Sequence, residues 1–83
     1  MAYKFSTVKR GSRGNDVITL QAIFRAYGQL GSNGKVIEVD GIAGDNTVYA
    51  INAVRKSAKA YGMKITGKDG EFDSSCWQAV LGG

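Results

Sequence analysis

Apolar residues recur with helical spacing in three stretches of this chain, each followed by glycine. From Asn15 to Tyr27, Val17, Leu20, Phe24 and Tyr27 return at intervals of three and four, which lines them on one face of a helix. Gly28 follows as a residue able to take positive φ beyond the last turn. A second stretch, from Asp45 to about Tyr61, turns Val48, Ile51, Val54, Ala58 and Tyr61 inward, and Gly62 repeats the stop. The third is short, Ser74 to Leu81, with Trp77, Val80 and Leu81 inward and Gly82-Gly83 as a frayed end. Residues 1–14 read as an arm whose glycine-rich end, Lys9-Arg10-Gly11-Ser12-Arg13-Gly14, turns into the first helix. Lys35 to Val39 is short and β-branched and reads as a brief strand or an extended link, with Met63 to Lys68 as a second link.

A repeat underlies this pattern. Val39-Asp40-Gly41-Ile42-Ala43-Gly44-Asp45 leads into the second helix, and Asp69-Gly70-Glu71-Phe72-Asp73 leads into the third, with the two Asp-Gly pairs 29 residues apart. In such a turn the Asp carboxylate accepts backbone amides and the Gly takes a conformation that other residues resist. Asp40 and Asp69 are therefore expected to cap structure and not to form a catalytic carboxylate pair. Gly44 and Asp73 hold corresponding helix starts, and both residue types serve as N-caps. Thr47 corresponds to Cys76, which points to a tight site for a small side chain.

Composition bounds what the chain can do. At 83 residues it is one domain, 1–83, with a modest core, and 43% hydrophobic against 22% charged residues predicts a folded globule. The absence of His excludes Ser-His-Asp and Cys-His nucleophile pairs and His-ligated metals. A single Cys excludes an internal disulfide and a Cys-rich zinc cluster. A formal charge of +4 favours anionic partners, but with aromatics mainly on core stripes it gives nucleic acid little support. The start, Met1-Ala2-Tyr3-Lys4-Phe5-Ser6, shows no signal-peptide run, and no stretch approaches membrane-spanning length, so no membrane partner is expected and localisation stays open.

The motif Val8-x-x-Gly11-Ser12-x-Gly14-x-Asp16-Val17-x-x-Leu20-Gln21, then Val39-Asp40-Gly41-Ile42-x-Gly44-x-x-Thr47-x-x-Ala50-Ile51, then Asp69-Gly70 with Trp77 and Leu81, resembles the peptidoglycan-binding-like domain. This small three-helix module accompanies many bacterial and phage cell-wall hydrolases. The resemblance spans about residues 7–82. It implies a mainly α, compact three-helix, pseudo-two-fold fold with short extended links. It also implies a non-catalytic role, with no cofactor: binding the peptide stem or glycan of peptidoglycan in the groove between the first two helices, as the targeting part of a lysis or wall-remodelling system. A cell-wall hydrolase is the partner such a module serves. The chain departs from the family at Val54-Arg55, where Phe-Gln is usual, at Asp73, where Gly is usual, and by a longer connection around Gly31 to Lys35. The competing function is a stand-alone phage or bacterial protein that reuses the fold in the cytoplasm to bind a host protein or a phosphate-bearing small molecule.

The ligand-binding candidates are Ser12, Arg13, Asp16, Gln21, Thr47 and Tyr49. Free amides at the first helix start, with Lys9, Arg10 and Arg13 beside them, would attract a carboxylate or phosphate, although a turn with solvated charges is the simpler reading. Tyr49 points away from the Ile51 stripe and is expected to be exposed. Arg55, Lys56 and Lys59 read as a basic patch on the outer face of the second helix, Cys76 as a buried small residue, and Trp77 as core.

Overall fold

The computed structural model describes residues 4–81, so the expected frayed end at Gly82-Gly83 lies outside the described residues. Three helices follow one another, α1 (Asn15–Ala26), α2 (Asp45–Ala60) and α3 (Ser74–Leu81). No strand forms among the described residues: the Lys35 to Val39 stretch is an extended link whose one ladder contact is the bridge between Leu30 and Val36. The Cα radius of gyration is 11.5 Å, close to the roughly 12 Å of a compact chain of this length.

Both long helices end in the same way. The Gly28 amide donates to the Arg25 carbonyl at 3.1 Å and the Gln29 amide to the Phe24 carbonyl at 2.9 Å. After α2, the Gly62 amide donates to Lys59 and the Met63 amide to Ala58, each at 3.0 Å. These crossed bonds are the Schellman closure, with the glycines left-handed at φ +75° and +83°. The closure sets the tyrosines outside. Tyr27 and Tyr61, expected on inner faces, are the residues at which the chain leaves the helix, and they are 69% and 82% exposed.

The core is built from Val17, Leu20 and Phe24 of α1, Ala50 and Ile51 of α2, Cys76 and Trp77 of α3, and Val8, Ile37, Ala43 and Phe72 from the links. Val54 and Val80 pack against it at the edge, whereas Leu81, expected inside, lies in the last turn of α3 and is about half exposed. Phe72 sits between Phe24 and Trp77, meeting each edge-on at centroid distances of 5.8 and 5.0 Å, and Phe5 stacks on Trp77 at 4.1 Å. Full burial of such a side chain stabilises by about 1.5–3 kcal/mol, so this aromatic cluster is a large share of what holds so small a domain. Phe72 occupies the repeat position of Ala43, and both are buried. One unit fills that position with a ring where the other uses a methyl.

The N-terminal arm stitches the two units together. Val8 exchanges both backbone hydrogen bonds with Phe72, at 3.0 and 2.7 Å. Further on, the Ala43 amide donates to the Ser12 carbonyl at 2.9 Å and the Gly14 amide to the Gly41 carbonyl at 3.1 Å. The Trp77 indole closes the arm by donating to the Ser6 carbonyl at 3.0 Å.

Candidate functional site

Each Asp-Gly turn is held by polar side chains reaching from the preceding helix. In the first unit a single residue does this. Gln21, on α1 and 1% exposed, accepts from the amides of Asp40 at 3.1 Å and Gly41 at 2.8 Å. Its amide nitrogen donates to Asp40 Oδ1 at 2.9 Å, to the Ile42 carbonyl at 3.0 Å and to Thr47 Oγ1 at 3.1 Å. Asp40 Oδ1 also accepts the Ile42 amide at 3.0 Å. Gly41 is required here: its φ is +78°, and a Cβ would sit 3.2 Å from Ile18.

In the second unit the same work is divided. Arg55 Nη1 donates to the Glu71 carbonyl at 2.9 Å and to Cys76 Sγ at 3.2 Å, the repeat positions of Ile42 and Thr47. A guanidinium has no acceptor, so the Gly70 amide turns instead to Asn52 Oδ1, at 2.6 Å. Asp69 accepts no hydrogen bond among the described residues, which corrects its expected capping role. Asp73 caps α3, taking the Cys76 amide at 3.2 Å and the Ser75 hydroxyl at 2.5 Å on Oδ1. Arg55 is 3% exposed, not part of an outer patch. The glutamine-like task draws it into the interior.

The titration of these groups follows from their contacts. The Ile42 amide first, and then Gln21, hold the Asp40 carboxyl below its usual range. Burial pushes Asp73 up, but the Ser75 hydroxyl, the Cys76 amide and the Arg55 charge outweigh it, and the net shift is downward. Burial raises the Cys76 thiol. A thiol kept neutral in this way is a packing residue and a poor nucleophile.

The six candidate ligand residues separate into three places. Ser12, Arg13 and Asp16 come together around a cavity of about 410 Å³ at the start of α1, with Ser6, Thr7 and Asn15 completing its polar rim. Gln21 and Thr47 do not reach it. They are buried, with their polar atoms committed to the turn, so direct ligand contact through them is corrected to a structural role. Tyr49 is about half exposed on α2, away from this cavity. Within the cavity the Ser12 hydroxyl accepts the Lys9 amide at 3.0 Å, and Asp16 Oδ2 accepts the Ser6 amide at 2.8 Å. The Arg13 guanidinium has no partner among the described residues, and Gly14 supplies no side-chain cap to the first-turn amides. The site offers a cation, a carboxylate and hydroxyls side by side.

The expected basic cluster at this helix start does not form. Lys9 and Arg10 lie on the other side of the Gly11-Ser12 turn, and Arg10 pairs with Asp45 at the start of α2. Arg13 alone of the three lines the α1 cavity. No helix of the described chain is long and apolar enough to cross a membrane. No family profile matches the chain, and neither a curated relative nor a similar solved structure was found.

Asn52 and Arg55 are the site-building residues that the sequence reading missed. The signal was present in the repeat, because Val54-Arg55 precede the second Asp-Gly turn as Leu20-Gln21 precede the first.

Proposed function

We propose that this chain is a non-catalytic module that binds bacterial cell-wall peptidoglycan, holding a wall-active partner such as a cell-wall hydrolase against its substrate. The observation that favours this over a phosphate-bearing ligand is the mixed character of the α1 cavity. Asp16, in the first turn of the helix, lines the cavity together with Arg13, and its carboxylate opposes any multiply charged anion. A peptide stem carries amides, single carboxylates and an amine on one chain, and hydroxyls and amides follow on its sugars. Arg13 takes the carboxylate, Asp16 the amine or an amide N–H, and Ser12 with the first-turn amides the remaining polar groups. The twin turn-and-helix units and the motif spanning residues 7–82 support the same reading.

The test is co-sedimentation with purified sacculi. The protein is expected in the pellet, retained in part as salt rises because only the charged contacts are screened, with no soluble muropeptide released. Absence from the pellet at low salt would refute the binding, and muropeptide release by the pure protein would refute the non-catalytic role.

A further inference from the structure

Five cationic side chains gather away from the α1 cavity: Lys9, Arg10, Arg55, Lys56 and Lys59. They line two adjoining cavities of about 390 and 380 Å³ that share Asn52 and Asp69 and run along α2 beside the Asp69-Gly70 turn. Lys9 and Arg10 stand at the Val48 end and Arg55, Lys56 and Lys59 at the other, and from Val48 to Lys59 the helix rises about 16 Å, so the charges fall in two groups along the groove. Two acidic residues, Asp69 and Glu71, stand against the five. Arg10 is already paired with Asp45, but Lys9, Lys56 and Lys59 have no side-chain partner among the described residues.

Arg55 marks this groove as more than a solvated lysine face. It is 3% exposed, and while Nη1 is used in the turn, its buried Nε has no hydrogen-bond partner among the described residues. Buried donors are nearly always satisfied, and this unsatisfied one, in a side chain that lines the second cavity, is a standing cost that a small shift of the guanidinium toward a bound acceptor removes. A guanidinium there, with ammonium groups spaced along the rim, fits singly charged oxyanions repeated along a chain better than one compact anion. Among the described residues no aromatic side chain lines either cavity, so they offer a base nothing on which to stack.

We propose that this groove is a second ligand site, which takes a linear phosphodiester polyanion without bases, a polyol-phosphate chain. It uses none of the residues of the α1 cavity and stands or falls independently of the peptidoglycan reading. Calorimetric titration at low salt with a synthetic glycerol-phosphate hexamer tests it, beside a single-stranded DNA and an oligo-glutamate of equal charge. Wild type is expected to bind the hexamer. Lys56→Gln with Lys59→Gln should weaken it about five- to thirty-fold, the loss of two exposed charge contacts. A control pair outside the groove, Lys35→Gln with Lys64→Gln, changes the net charge equally and should cost less than about two-fold. Arg55→Gln should weaken binding further, with circular dichroism checking its fold; if it does not fold, the lysine pair decides. Equal losses from both lysine pairs, or no binding of the hexamer, would overturn the site. DNA bound as tightly as the hexamer would make the groove a nucleic-acid site, and equal affinity for oligo-glutamate would make it a nonspecific polycation; either result overturns the proposal.

Discussion

Replacing Gln21 with Leu removes the side chain on which the first Asp-Gly turn hangs. The carbonyl oxygen of Gln21 holds two amides, and the amide nitrogen, with two hydrogens for three neighbouring acceptors, serves two at a time. That is about four hydrogen bonds, and at a net 0.5–1.5 kcal/mol each the loss is about 2–6 kcal/mol. The whole domain is stable by roughly 4–12 kcal/mol at this length, so Gln21→Leu should remove about half of its stability. Gln21→Glu separates geometry from polarity. It keeps an oxygen for the Asp40 and Gly41 amides but sets a second carboxylate against Asp40 Oδ1, so it should be severely destabilised at pH 7 and partly recovered near pH 4, where a protonated Glu can donate. Urea unfolding followed by the fluorescence of buried Trp77 measures both. A Gln21→Leu variant within about 0.5 kcal/mol of wild type, or a Gln21→Glu variant indifferent to pH, would refute the keystone role.

Three further outcomes follow from the same geometry. Arg55→Ala should cost about 3–5 kcal/mol by stripping the second turn, whereas Arg55→Gln with Cys76→Thr, which installs the first unit's pairing, should stay within about 1 kcal/mol of wild type in the same urea assay. Asp40 and Asp73 have lowered folded-state values, so their contribution is complete above the ordinary carboxylate range and is lost as pH falls through those lowered values. Melting temperature should therefore drop below about pH 4, and Asp40→Asn and Asp73→Asn should each flatten that decline. Cys76 is buried with a raised thiol, so a thiol reagent should label it only as fast as the protein unfolds; fast labelling of the folded protein would contradict that burial.

The helices were legible because their signals are local. Apolar spacing and the glycine stops place α2 and α3 within a residue of their observed ends. Periodicity overran at Tyr27 and Tyr61, since the Schellman closure turns the chain outward one residue before the stripe would bring each ring home. The repeat was visible in Asp40-Gly41 and Asp69-Gly70, but how each turn is held was not. Gln21 and Arg55 act across 21 and 16 residues, and nothing in a charge pattern says that one arginine on a basic helix will be drawn inside. The proposed cluster of Lys9, Arg10 and Arg13 failed for a similar reason. The tight turn at Gly11-Ser12 sends residues that are neighbours in sequence to opposite sides of the arm.

On the proposed function, the α1 cavity receives a peptidoglycan fragment through Arg13, Asp16 and Ser12. Amide chemical shifts during titration with a soluble muropeptide, and in parallel with a nucleotide panel, test it most directly. Saturable shifts centred on Ser12 to Val17 are expected with muropeptide only, and an affinity reduced about three- to ten-fold in Arg13→Ala, the loss of one exposed charge-assisted contact. Nucleotide-induced shifts at the same amides that vanish in Arg13→Ala, with no response to muropeptide, would contradict it.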